Sequence, residues 1–128
     1  MKILGIGVDI VNNSRVRTLT KKKKFIERTF GKNEIHLSKN ILNKTNYFSK
    51  RFAAKESFSK AIGTGFRNSL NLKDIEILNN KKGKPYFLKT KKINKILFEL
   101  FKVQKYDLFL SISDEKDYSI AFTILQKK

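Results

Sequence analysis

The chain has 128 residues, enough to bury one core of Ile, Leu and Phe, so a single domain spanning 1–128 is expected. It contains no cysteine, which excludes disulfides and thiolate metal sites and favours a reducing compartment such as the cytoplasm. The net charge of +18 selects anionic partners without choosing among nucleic acid, an acidic protein, a membrane surface or a phosphate-rich small molecule. Of the 29 basic residues 24 are Lys, and a chain this rich in Lys, Asn and Ile also follows from AT-rich codons, so charge alone assigns no nucleic-acid function.

Residues 2–11, KILGIGVDIV, alternate as a strand: Leu4, Ile6, Val8 and Ile10 form one apolar face, and Gly5, Gly7 and Asp9 share the other. Asp9, the two glycines and the absence of a small-residue cleavage site argue against a signal peptide. No apolar run approaches the roughly 20 residues of a membrane span. Asn13 or Ser14 caps a helix expected to run to about Phe30, burying Val16, Leu19, Ile26 and Phe30, with Gly31 as its stop. Its Lys21–Lys24 run reads as a solvated face or as a nucleic-acid arm. A shorter helix, 32–42, is expected to bury Ile35, Ile41 and Leu42.

The next helix carries the most information. Thr45 or Asn46 offers a cap, Gly63 a stop, and Ala54, Phe58, Ala61 and Ile62 recur at core spacing. Phe52, Glu56 and Lys60 lie four apart on a different face. Segments 74–80 and 84–89 flank Gly83 as a hairpin, residues 92–103 form an amphipathic helix, and LFLSIS with YSIAFTIL closes the chain as a second hairpin. The order β, three helices, hairpin, helix, hairpin predicts an α+β fold with a mainly antiparallel sheet and packed helices.

Two features point to chemistry. Asp9 is a carboxylate inside an apolar strand, where burial is costly without a partner or a metal; the alternative is an exposed aspartate capping the next turn. The Gly5-x-Gly7 pair does not extend to a dinucleotide fingerprint, because Ile10 stands where the third glycine would be. Glu56 and Lys60 have Cβ atoms about 5–6 Å apart, which by itself describes an ordinary surface pair. Arg51, Lys55 and Lys60 nevertheless crowd one short helix that ends in Gly63-Thr64-Gly65, where small residues admit a close ligand. Basic groups neutralise a diphosphate, and a hard cation held by two carboxylates and phosphate oxygens needs no histidine or cysteine; Mg²⁺ binds in that manner.

These residues carry a family resemblance. GIGVDIV at 5–11, RFAAKESFSKAIGTG at 51–65, DIEI at 74–77, GKP at 83–85 and the LSIS hairpin are similar, in order and over nearly the whole chain, to the holo-acyl-carrier-protein synthases, the small phosphopantetheinyl transferases. The resemblance implies their fold and their activity: transfer of 4′-phosphopantetheine from coenzyme A to a serine of acyl carrier protein, in support of fatty acid biosynthesis, with release of adenosine 3′,5′-bisphosphate. It places the family's metal ligands on Asp9 and Glu56, with Mg²⁺ the implied ion. Its catalytic residues fall on Glu56, in or near the proton-accepting role, and on Lys60, which offsets charge on the phosphate oxygens. Coenzyme-binding positions fall on Arg51, Lys60, Gly63, Thr64, Gly65 and Pro85. A basic surface near Arg15 is implied to dock the acidic carrier protein, and a homotrimer with active sites between subunits is implied as the assembly.

The chain departs from the family at a His-x-Ser-x-x-His pattern, where it has Phe109, Ser111 and Asp114; the one histidine, His36, lies in an unrelated helix and receives no role. A basic nucleic-acid-binding module is the competing reading, but it has no use for an acid in an apolar strand or a glutamate amid a basic helix, since both repel phosphate. A scaffold that has lost activity is the third, and the presence of Asp9, Glu56 and Lys60 together speaks against it.

Overall fold

The computed structural model describes residues 1–63 and 70–128. Strand β1 (Lys2–Asn12) leads into four helices, α1 (Asn13–Leu19), α2 (Lys23–Thr29), α3 (Lys32–Ser38) and α4 (Lys44–Ile62). A single 3₁₀ turn (Leu72–Asp74), the hairpin β2 (Ile77–Asn79) and β3 (Pro85–Phe87), helix α5 (Lys91–Phe101) and the hairpin β4 (Tyr106–Asp114) and β5 (Tyr118–Lys127) follow. The sheets are antiparallel, in the order β1-β5-β4 and β2-β3, which agrees with the α+β expectation.

The expected helix to Phe30 is two helices. Asn12, not Asn13 or Ser14, caps the first, its side chain accepting from Ser14 N and Arg15 N. Thr20–Lys22 break the run. The break resets the helical phase, so Phe25 is buried while Leu19 and Ile26 are only partly covered. Helix α3 ends at Ser38, short of 42, and leaves Leu42 fully exposed; its buried residues are Glu34 and Ser38. The long α4 starts earlier than expected, capped by Asn43 rather than by Thr45 or Asn46, because the Asn43 side chain accepts from Asn46 N; its end and core stripe are as expected, with Gly63 at φ 79° stopping it in the left-handed region that favours glycine and Ala54, Phe58, Ala61 and Ile62 buried.

Helix α4 lies across the inner face of the three-stranded sheet, and the glycines of β1 make that possible. A Cβ at Gly5 would stand 1.7 Å from Ala61 O, and one at Gly7 would stand 1.9 Å from Ser57 O. The sheet therefore packs backbone to backbone on α4. Ser57 Oγ and Thr123 Oγ1, 2.6 Å apart, satisfy each other within that buried contact. The face that alternation made apolar points the other way: Ile6, Val8 and Ile10 are 55%, 48% and 61% exposed. A register shift between Ile3 and Gly5 separates Leu4 from them and packs it against the core. That core joins Phe58 and Ile62 of α4 with Ile93, Ile96 and Leu97 of α5 and Leu110, Ala121 and Leu125 of the sheet. A second cluster, built on Val16, Phe25, Phe30, Tyr47 and Phe48, holds α1 and α2 against the start of α4.

Candidate active site

Three of the residues singled out by sequence converge where β1 crosses α4. Asp9 follows Gly7 by one alternation, so its side chain shares the face turned toward the helix. Lys60 Nζ donates to Asp9 Oδ1 at 3.1 Å. Glu56 stands one turn earlier, half-buried. Burial pushes its pKa up, the Asp9 carboxylate pushes it further, and Lys60 and Arg15 pull it down. Two acids and two bases thus share one electrostatic neighbourhood. Lys60 forms its ion pair with Asp9 across elements, a link that helical spacing alone would not suggest.

A carboxylate whose pKa is raised by burial and by a neighbouring carboxylate suits a hard divalent cation, which removes both the repulsion and the burial penalty. Among the described residues no group of three acidic, histidine or cysteine side chains gathers to complete such a shell. Asp9 and Glu56 could hold a hard cation only with phosphate oxygens and water as its remaining ligands, a donor set that Mg²⁺ accepts.

Arg51 belongs to another side of α4, five residues and about 140° around the helix from Glu56. It is buried, with its guanidinium 3.7 Å over the Tyr47 ring and Nη2 donating to Asn79 Oδ1 at 2.6 Å. Its Nε is buried with no hydrogen-bond partner among the described residues. Desolvation lowers its pKa, and Tyr47 and Glu34 act in the opposite sense. Arg51 lines a cavity of about 150 Å³ with Gly83, Pro85 and Asp114, so the structure brings Arg51 and Pro85 together as expected. An orphaned cationic donor at a small polar cavity suits a phosphate. Gly63 caps the same helix end that carries Lys60. Thr64 and Gly65, the remaining coenzyme positions from the sequence, lie outside the described residues. Among the described coenzyme positions, one chain presents Arg51 with Pro85 on one side of α4 and Lys60 on another.

A wider groove of about 630 Å³ is lined by Arg15, Arg28 and Lys73 with Leu19, Phe25 and Phe52, and its Arg15 is the residue that also acts on Glu56. Its apolar floor under a basic rim escaped the sequence reading, because the helix break at Thr20–Lys22 decides where Phe25 points. Phe109, in place of a histidine, is 48% exposed and joins Ile6, Val8, Ile10, Ile120 and Phe122 on the outward sheet face. Asp114 accepts from Asn46 Nδ2 at the start of α4, and His36 is exposed.

The family model of the 4′-phosphopantetheinyl transferase superfamily matches residues 5–123, which span β1 through most of β5. The chain belongs to that superfamily. A holo-[acyl-carrier-protein] synthase of Pelagibacter ubique is 60% identical to this phosphopantetheinyl transferase over 128 residues, covering 100% of both chains. The crystal structure of the holo-[acyl-carrier-protein] synthase of Neisseria meningitidis superposes with a TM-score of 0.88 at 37% identity, covering 98% of this chain and 99% of that one. A holo-(acyl-carrier-protein) synthase from Bacillus anthracis, solved in complex with CoA (3′,5′-ADP), superposes with a TM-score of 0.83 at 32% identity over 100% of both chains. The nucleic-acid-module and scaffold readings are set aside by these matches. This transferase has no helix among the described residues long and apolar enough to cross a membrane.

Proposed function

We propose that this phosphopantetheinyl transferase is a holo-[acyl-carrier-protein] synthase: it moves the 4′-phosphopantetheine of coenzyme A onto a serine hydroxyl of apo acyl carrier protein and releases adenosine 3′,5′-bisphosphate. The observation that carries the residue assignment is the meeting of Asp9, Glu56 and Lys60 at the β1–α4 crossing. Asp9 and Glu56 would hold Mg²⁺, which when bound would supply a Lewis acid for the diphosphate oxygens. Lys60 is more than half exposed at the helix end, and it turns from Asp9 to the phosphate oxygens as charge grows on them. Glu56, whose pKa is raised by burial, is placed to help take the serine proton, directly or through water. Arg51, Gly63 and Pro85, with Thr64 and Gly65, receive the coenzyme, the unpaired Arg51 Nε being a ready donor to a phosphate.

The basic groove receives the carrier protein. Arg15 both rims it and acts on Glu56, so a bound acidic partner would present its serine next to the carboxylate. The assembly is a homotrimer, on two grounds. The outward sheet face exposes Ile6, Val8, Ile10, Phe109, Ile120 and Phe122, which in water favours a partner. Arg51 and Pro85 fall on one side of α4 and Lys60 on another, so a neighbouring copy can complete each site. Residues 1–128 act as one domain, in the cytoplasm. Intact-mass analysis of apo acyl carrier protein after incubation with coenzyme A, Mg²⁺ and this protein tests the activity: a pantetheine adduct is expected, and its absence refutes the reading.

A further inference from the structure

Lys55 and Glu34 form a fully buried ion pair that none of the roles above uses. Both side chains are 0% exposed, and Lys55 Nζ lies 2.5 Å from Glu34 Oε1. The same ammonium donates to the carbonyl oxygen of Leu72 at 3.1 Å and to that of Ile75, so its three N–H groups all have acceptors. Glu34 is equally engaged: the Gly31 N–H donates to Oε1 at 2.9 Å and the Ile77 N–H to Oε2 at 3.0 Å.

These contacts run to the two sides of the basic groove. Gly31 follows directly on Phe30, which caps the C-terminus of α2, and Phe25 and Arg28 of that helix line one side. Leu72, with Asn71 and Lys73, lines the other. Phe52, three residues before Lys55 on the same helix, makes the floor. Without the Lys55 donors, the carbonyls of the 72–75 turn lose their tie to α4; without Glu34, the end of α2 loses its tie to the same point. Buried ion pairs contribute little net stability compared with apolar residues of equal size, because desolvation offsets the attraction. Their best use is to fix geometry.

We propose that the Lys55–Glu34 pair is a positioning device that holds the two sides of the groove at the separation the carrier protein needs. Neither residue touches substrate; both act through Leu72 and α2. The proposal rests on the reading of the groove as the carrier-docking surface, and the test separates the two. K55M/E34Q removes both charges together, so no lone buried ion remains, while the carbonyl clamp is lost. Its KM for apo acyl carrier protein should rise fivefold or more, with kcat and the KM for coenzyme A within twofold of wild type and an unchanged circular dichroism spectrum. A folded double variant with an unchanged carrier KM, or one whose loss lies in kcat, overturns the proposal. Leu72→Ala leaves the pair intact and truncates the positioned side; it should raise the carrier KM as well. An unchanged value there overturns the proposal even if the double variant does not fold. Arg15→Glu is the separate control: a carrier KM that ignores it removes the docking reading itself.

Discussion

Replacing Gly7 by alanine inserts one methyl group at the β1–α4 crossing. The new Cβ would lie 1.9 Å from Ser57 O and 2.6 Å from Ala61 N, both backbone atoms that no side-chain rotation can clear. Ordinary contact requires about 3.4 Å, so strand and helix must separate by roughly 1.5 Å. Overpacking a core typically costs about 1–3 kcal/mol, and a backbone contact belongs at the upper end. A loss of ~3 kcal/mol lowers the Tm of a chain of this size by about 12 °C. The same displacement carries Asp9, two residues on, away from Glu56 and Lys60, and a misplacement of about 1 Å can reduce turnover by ~100-fold. Thermal melting followed by circular dichroism, with kcat for carrier modification on the folded variant, measures both effects. Wild-type Tm and kcat in Gly7→Ala would refute the claim that close backbone approach places Asp9.

Three further expectations follow from the site and the surfaces around it. Burial, and then Asp9, raise the Glu56 pKa, so its charged form opposes folding at pH values above the shifted pKa, and the penalty vanishes below the ordinary value of 4.5, where both states are protonated. Glu56→Gln should therefore raise the metal-free Tm at pH 7, by a margin that shrinks toward pH 4, while carrier modification falls by about 10²-fold or more; a lower Tm at pH 7 contradicts the cause assigned to the shift. The carrier KM should climb steeply with ionic strength, since exposed charges are screened over about 8 Å at physiological salt, whereas a KM flat from low to high salt would exclude electrostatic docking. Val8→Glu places a charge on the exposed sheet face, where a lone chain tolerates it because Val8 is 48% exposed. Light scattering should show wild-type protein at three times the monomer mass and this variant at a lower mass; a monomeric wild type would refute the trimer.

Local pattern made much of this fold readable. Helix α4 has a cap, a glycine stop and a core stripe at helical spacing, and the terminal hairpin has strong alternation around a short polar loop, so each element follows from nearby residues. The α1–α2 break was not readable, because Thr20–Lys22 include neither Gly nor Pro and the turn is chosen by the way Phe25 and Phe30 pack at 6.1 Å against each other. Glu34 was missed since a charged residue at the start of a short helix is normally solvated. Lys55 gave a usable signal: it lies on the stripe of Phe58 and Ile62, at i+3 and i+7, and that stripe is buried.

Residue pattern was enough for the family, through the ordered matches GIGVDIV at 5–11 and RFAAKESFSKAIGTG at 51–65. An acid on a glycine-cleared strand face and a Glu-x-x-x-Lys pair in a basic helix named the candidate site residues and, taken alone, no more than that. Only the tertiary structure decided which way the strand faces and which partners meet. Alternation says that two faces differ, not which one is turned inward; that depends on the backbone of α4, which fits against glycine and not against Ile6, Val8 or Ile10. The pairing of Lys60 with Asp9, the split of Arg51 from Glu56 and the Lys55–Glu34 clamp all arise from contacts between distant segments. Their energies depend on burial and on neighbours from other elements, and no local pattern encodes those.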